Sequence, residues 1–212
     1  MYIVFEGIIG AGKTTQCFRL SHWLEDKFPK LHVLCTREPG GDEIAESIRG
    51  TVQGTPFKEQ MDATCEAYLY AAARAQSLRT VVKPRLDSGW IIIADRSFIT
   101  SLVYQGYNRG VGIDTILDIN KVAVSGILPD LVLFLDANVP TALGRAHDKA
   151  GDKWENLGED FFVKAREGYM KVSHLSNLFG KWVGIDGNGT EDEVFQRILQ
   201  EVTPFIHSNE GE

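Results

Sequence analysis

The residue pattern predicts an α/β protein built on a parallel sheet of about five strands. Three observations carry that expectation. Short apolar runs alternate with longer helical patterns from one end of the chain to the other, the runs are dense in Val, Ile, Leu or Phe, and most end in a charged residue where a loop would begin. Ligands of such sheets sit at the carboxyl ends of the strands, so chemistry is sought there first.

Strands are expected, in order, at Tyr2–Glu6, His32–Thr36, Trp90–Asp95, Leu131–Asp136 and Trp182–Asp186. Helical stretches fill the gaps. Lys13–Lys27 follows a glycine-rich segment, Asp42–Gln53 follows the second strand, and a long stretch runs from about Glu59 to Leu86. Thr115–Ser125 precedes the fourth strand, with Pro140–Lys149 and about Glu159–Leu178 between the fourth and fifth. The last helix, Glu191–Val202, has the clearest start, because Thr190 with Glu193 three residues on forms a capping box. Neither a repeat nor a linker interrupts the sequence, so 1–212 reads as one domain.

With 212 residues, 43% hydrophobic and 24% charged, the composition is that of a soluble globular domain long enough to bury a sizeable core. The 22 Lys+Arg against 29 Asp+Glu leave a formal net charge of −7, which argues against a coat for nucleic acid or an anionic membrane. Any anionic ligand must be met by a local cluster of cations. Cys17, Cys35 and Cys65 form no CxxC pair and no metal-ligand spacing, so buried or half-buried thiols in a reducing cytosol are expected. The start Met1-Tyr2-Ile3-Val4-Phe5 lacks the features of a signal peptide, and no apolar run approaches the ~20 residues of a bilayer span. A cytoplasmic location is therefore expected, in a host's cytoplasm if the source is viral. Asn188-Gly189-Thr190 matches a glycosylation sequon but, without secretion, reads as a turn.

Gly7-Ile8-Ile9-Gly10-Ala11-Gly12-Lys13-Thr14 fits G-x4-G-K-[ST], a match that chance would give on the order of once in a hundred chains of this length. It follows an apolar strand and opens a helix. Backbone N–H groups of Gly7, Gly10, Ala11 and Gly12, continuing through Lys13, Thr14 and Thr15, can then wrap the phosphates of ATP. Lys13 would neutralise charge there and the Thr14 hydroxyl would ligate Mg²⁺. A carboxylate at the end of an apolar strand is needed to hold the metal, and Asp95 after Ile91-Ile92-Ile93-Ala94 supplies it, although any buried parallel strand can end in Asp. Arg96 beside it strengthens the metal-and-phosphate reading. Together these residues predict ATP·Mg and phosphoryl transfer without naming the acceptor.

Thr36-Arg37-Glu38-Pro39-Gly40-Gly41 resembles the TREPGG signature of thymidylate kinases. Arg49, Tyr70-Ala71-Ala72-Ala73-Arg74-Ala75-Gln76, Asp95-Arg96, Ser101, Tyr104-Gln105-Gly106 and Leu128-Pro129-Asp130 follow in the family's order, so the resemblance covers nearly the whole chain. Pattern and resemblance together imply a three-layer P-loop kinase with helices on both faces and a mobile lid at about 141–160. The family is usually homodimeric. Its reaction is transfer from ATP to dTMP, giving dTDP and ADP on the way to dTTP.

A nucleotide acceptor needs cations rather than a base, since its phosphate is already largely ionised near pH 7, with a second pKa of about 6. Arg37, Arg49 and Arg96 are candidates, and the resemblance puts Arg49 and Arg96 on the acceptor phosphate, with Arg96 also reaching the transferring group. Arginine's planar fork suits phosphate oxygens. Glu66, Tyr70 and Arg74 recur every four residues and share one helix face, a pattern that also fits a core stripe. The resemblance makes Tyr70 the stacking platform for the base and Arg74 the donor to its O4, with Ser101 and Gln105 on the base edge and Tyr104 under the deoxyribose. Tyr104 could equally be core. An Arg donor rejects cytosine, whose amino group would leave both donors unpaired.

The phosphate loop carries no arginine, and in relatives of that kind the lid does; here the resemblance points to Arg145, His147, Lys149 and Lys153 with Arg166 nearby, Arg145, Lys149 and Lys153 being the catalytic candidates and His147 a surface residue. Two further departures lie at Ile9, where many relatives have Asp, and at Tyr70, where Phe is more usual. Glu38 could take over part of the missing carboxylate's role at the 3′-hydroxyl. These departures keep open a kinase for dUMP or a 5-modified dUMP; a deoxynucleoside kinase and an ATP-switched binding module fit less well, because neither needs Arg49 and the TREPGG-like segment.

Overall fold

Strands apolar on both faces are stable only between two layers of helix, and that arrangement is what the chain adopts. The computed structural model describes residues 1–54, 58–146 and 157–209, the last three of these by backbone alone. Strand β1 (Tyr2–Glu6) is buried throughout, and β3 (Ile91–Asp95) and β4 (Leu131–Asp136) everywhere but their last residue. The less buried β2 (Val33–Arg37) and β5 (Lys181–Asp186) form the edges of a parallel sheet of order β2-β3-β1-β4-β5. The chain leaves β1 toward β2 but leaves β3 toward β4, so the crevice at a topological switch lies between β1 and β3, where ligands bind in such sheets. The register sets Asp95 beside Phe5 on one side and Arg37 on the other.

Helix α1 (Lys13–Lys27) leaves the glycine-rich loop. Asp42 caps α2 (Glu43–Gln53) by accepting from the Ala45 N–H at 2.9 Å, and Asp62 caps α3 (Ala63–Ser77) through the Thr64 and Cys65 N–H groups. The expected long helix does not begin until Ala63, because Asp62 supplies the cap, and it widens into a π turn over Leu78–Val82 before α4 (Lys83–Asp87). A helix not expected from the sequence follows β3, with α5 (Phe98–Ser101) passing into a π segment at Leu102–Asn108. Leu102 to Gly106 are buried on every side, so they carry no one-sided apolar stripe to read.

The remaining helices are α6 (Ile113–Val124), α7 (Val139–Ala146), α8 (Glu159–Val172) and α9 (Glu191–Asn209). Helix α8 stops six residues short of the expected end, and a 3₁₀ turn at Ser176–Leu178 follows. Helix α9 runs past the expected end and through Pro204. Its capping box forms as expected, with the Thr190 N–H on Glu193 Oε2 at 2.8 Å and the Glu193 N–H on Thr190 Oγ1 at 3.3 Å. Of the segment expected as a lid, 147–156 lies outside the described residues, 141–146 belong to α7 and 159–160 open α8. The thiols differ in part from expectation: Cys17 is buried and Cys35 half-buried, but Cys65 is exposed. Among the described residues no helix is long and apolar enough to cross a membrane.

Candidate active site

The loop between β1 and α1 has its form because three glycines adopt backbone angles that side chains resist. Gly7, Gly10 and Gly12 have φ of +143°, +70° and +93°. A Cβ at Gly7 would lie 2.7 Å from the Leu135 carbonyl oxygen, and one at Gly10 only 1.8 Å from that of Ala142, so the loop packs directly on β4 and α7. Lys13 turns back over it, its Nζ donating to the Ile8 carbonyl at 2.8 Å. Burial, with the Arg96 charge adding to it, lowers the Lys13 pKa from 10.5 to about 7. The Thr14 hydroxyl donates to Asp95 Oδ2, while Asp95 Oδ1 is buried with no hydrogen-bond partner among the described residues. A hydroxyl beside a carboxylate with a spare oxygen suits a hard divalent cation that fills its other positions with water and phosphate. No group of three or more His, Cys, Asp or Glu able to hold a metal occurs among the described residues.

Arg96 follows Asp95 with φ +76°, a left-handed backbone uncommon outside glycine. Its Nη1 donates to the Gly7 carbonyl at 3.0 Å and to the hydroxyls of Thr100 and Tyr169 at 3.2 Å each, and the guanidinium lies 5.4 Å over the Tyr104 ring. Burial alone would lower the Arg96 pKa, but Tyr104, Tyr169, Asp95 and Glu6 outweigh it and raise it. Glu6, the last residue of β1, is fully buried. Its Oε1 accepts the Ser97 N–H at 2.8 Å and hydroxyl at 2.7 Å, and its Oε2 accepts from Thr100 at 2.6 Å and Tyr169 at 3.1 Å.

The second centre is Arg74 on α3, 3% exposed. Its Nε donates to Glu38 Oε2 at 2.6 Å, Nη1 to Asn120 Oδ1 at 2.6 Å, and Nη2 to the Ser97 carbonyl and the Ser101 hydroxyl at 3.3 Å each. Four contacts from five N–H donors leave at least one Nη1 proton for a ligand. Glu38 also accepts from the Tyr2 hydroxyl at 3.3 Å. One turn earlier on the same face, Tyr70 is 6% exposed and accepts from Gln53 Nε2 at 3.2 Å. Gln105 donates to Glu66 at 2.8 Å, and Glu66 also takes Arg109 at 2.6 Å.

These groups border one cleft of about 1020 Å³. Lining it are Gly10 to Thr15, Glu38, Arg49, Tyr70, Arg74, Asp95, Arg96, Ser101, Tyr104, Gln105 and Arg145; Gly7 lies behind the loop, its carbonyl held by Arg96. Arg49 donates to the Pro39 carbonyl at 3.0 Å. Arg37 is turned to Glu46, which takes its fork at 3.0 and 2.8 Å. Arg145 donates to the carbonyls of Gly187 and Gly189 at 3.1 and 3.0 Å, and Arg166 holds Asp136 with its Nη2 at 2.8 Å. His147, Lys149 and Lys153 lie outside the described residues. Sequence reasoning missed Ser97, Thr100, Asn120, Tyr169 and the role of Glu6; only Glu6, as a charged strand end, carried a signal.

A family model described as thymidylate kinase matches residues 5–198. Among relatives, the thymidylate kinase of Prochlorococcus marinus (strain NATL2A) is 36% identical over 208 residues, 97% of each chain. That of Geobacillus sp. (strain WCH70) is 39% identical over 208 residues, again 97% of each. The crystal structure of thymidylate kinase from Ehrlichia chaffeensis matches with a TM-score of 0.76 at 26% identity, covering 95% of this chain and 98% of that one.

Breaking the Arg74–Glu38 pair would leave a buried, uncompensated guanidinium. Glu38→Ala is expected to cost about 3–5 kcal/mol of unfolding free energy, read by urea denaturation; a loss below about 1 kcal/mol would mean that the pair is solvated.

Proposed function

The chain belongs to the thymidylate kinase family, and we propose how its cleft carries the γ-phosphoryl group of ATP to dTMP, giving dTDP and ADP. It is an ATP-dependent nucleoside monophosphate kinase. What supports the residue roles is one cleft holding a phosphate loop at one end and a separate set of arginines beside an aromatic platform at the other.

In this reading the loop from Gly7 to Thr15 cradles the ATP phosphates on the α1 N-terminus and Lys13 sits on the β- and γ-phosphates. Tyr70 stacks on thymine and the spare Nη1 proton of Arg74 meets its O4, with Ser101 and Gln105 on the base edge and Tyr104 against the deoxyribose. Arg49 and Arg96 hold the dTMP phosphate. An oxygen of that phosphate attacks the γ-phosphorus in line, the bond from the γ-phosphorus to the bridging oxygen breaks, and ADP leaves, without a covalent intermediate. No general base is required. Thr14 and Asp95 would hold Mg²⁺, which supplies neutralising charge to the β- and γ-phosphates when bound.

Arg145 holds the 187–189 turn at the ATP end, so we assign it to the nucleotide's position rather than to the transferring group. Lys149 and Lys153 are retained as cations for that group on the family pattern alone. Glu38 faces Arg74 and Tyr2, and any contact with the 3′-hydroxyl would be in addition to those. We further read the chain as one domain, a homodimer and a cytoplasmic enzyme, in keeping with the family.

ADP release from ATP·Mg should be strong with dTMP and absent with thymidine. Preference for thymidine would overturn the roles of Arg49 and Arg96, and preference for dUMP or 5-hydroxymethyl-dUMP would show that Ile9 and Tyr70 mark a changed acceptor.

The Lys13 pKa of about 7, against 10.5 ordinarily, means that the empty enzyme has lost this proton above neutrality. The triphosphate charge restores it. ATP binding at about pH 8 should therefore take up close to one proton, and at about pH 6 almost none by this group. Calorimetry in buffers of different ionisation enthalpy measures this; no buffer dependence at the higher pH would show that Lys13 is already charged.

A further inference from the structure

Arg96 and Glu6 do not touch, yet the same two hydroxyls touch both. Arg96 Nη1 donates to Thr100 Oγ1 and to the Tyr169 hydroxyl, at 3.2 Å each, and those hydroxyls donate onward to Glu6 Oε2 at 2.6 and 3.1 Å. The guanidinium can only donate and the carboxylate only accept, so the bonds run from guanidinium to hydroxyl to carboxylate, with a further contact of 3.0 Å between the two hydroxyls in which either can be the donor. Four donors fall on the two oxygens of Glu6, two from Ser97 and one each from Thr100 and Tyr169, and only an acceptor-only carboxylate satisfies them all.

We infer that Glu6, relayed through the hydroxyls of Thr100 and Tyr169, is a positioning residue that fixes the Arg96 guanidinium for phosphoryl transfer. The inference rests on the reading of Arg96 as a phosphate-binding group. Two things make the device necessary. Arg96 has a left-handed backbone at φ +76°, and Glu6 pins the next residue by its N–H and its hydroxyl. The guanidinium carries five donors on a long side chain stacked over Tyr104, and the Gly7 carbonyl, 3.0 Å from Nη1, fixes only part of its rotation. Two hydroxyls backed by a buried negative charge set that rotation before substrate arrives, so less order is lost in reaching the transition state. Tyr169 reaches Arg96 from α8, whose Phe161 also packs edge-on against the Tyr104 ring with centroids 5.5 Å apart. The Tyr169 ring packs on Phe134, with centroids 5.2 Å apart, so Tyr169→Phe removes one of the two relay hydroxyls and keeps the packing.

A double-mutant cycle separates positioning from packing. Tyr169→Phe is expected to lower kcat about ten- to a hundred-fold with little change in KM for ATP or in Tm. In an Arg96→Lys background, where the planar fork is gone, the same substitution should cost almost nothing further. Glu6→Gln should behave like Tyr169→Phe, since its amide adds donors where only acceptors fit. An unchanged kcat in Tyr169→Phe overturns the inference, as does an equal loss in both backgrounds, which would mean that Tyr169 acts through packing alone. Full activity in Arg96→Lys overturns instead the reading of Arg96, and the inference with it. Should Tyr169→Phe fail to fold, Thr100→Ala takes its place in the cycle with the same outcomes.

Discussion

The buried ion pair between Arg74 and Glu38 is the contact on which the acceptor end of the cleft depends. Both side chains are almost wholly out of water, which is tolerable because the two charges meet each other and four of the five Arg74 donors have partners. Those partners come from different parts of the chain: Tyr2 at the start of β1, the loop after β2, α3, the 97–101 turn after β3, and Asn120 on α6. Moving any of them leaves a charge unpaired, so the elements are held in one arrangement. In the proposed role of Arg74, the guanidinium is then aimed before a ligand arrives, and a base that cannot accept its proton is penalised by the full cost of an orphaned donor.

The same logic recurs 23 positions after Arg74 in the turn that opens at Ser97, where a second buried carboxylate, Glu6, organises the phosphate end. Ser97 joins the two centres, since its carbonyl accepts from Arg74 while its N–H and hydroxyl serve Glu6. In the proposed roles, base recognition and phosphate handling thus share one residue at the β1–β3 crevice. That juxtaposition follows from the strand order, which brings the end of β3 against the end of β1 with no strand between them.

Much of this was legible in the sequence, and for physical reasons. The central strands β1, β3 and β4, buried on both faces, must be continuous apolar runs, and the edge strands β2 and β5 keep enough apolar residues that all five were found to within one residue at either end. The phosphate loop was legible because only glycine fits where Leu135 and Ala142 carbonyls press on it. The 98–108 helix was not, since burial all round erases the helical period. Thr100, Asn120 and Tyr169 were illegible, and of Glu6 only its place as a charged strand end could be read, because their roles come from contacts across 46 to 163 residues of chain, and no local pattern encodes such a meeting. Arg37 shows the converse. It is a plausible phosphate ligand by spacing, but Glu46 nine residues later holds its fork.

In the proposed function a pre-aimed arginine, Arg74, held by the buried carboxylate of Glu38, reads the acceptor base. The ratio of kcat/KM for dTMP to that for dCMP, compared between the native enzyme and Arg74→Lys, tests it most directly. Lysine keeps the charge beside Glu38 but loses the planar fork that meets Asn120, Ser97 and Ser101. The ratio should fall roughly ten- to a hundred-fold, mostly through loss on dTMP. An equal loss on both substrates, leaving the ratio unchanged, would contradict it.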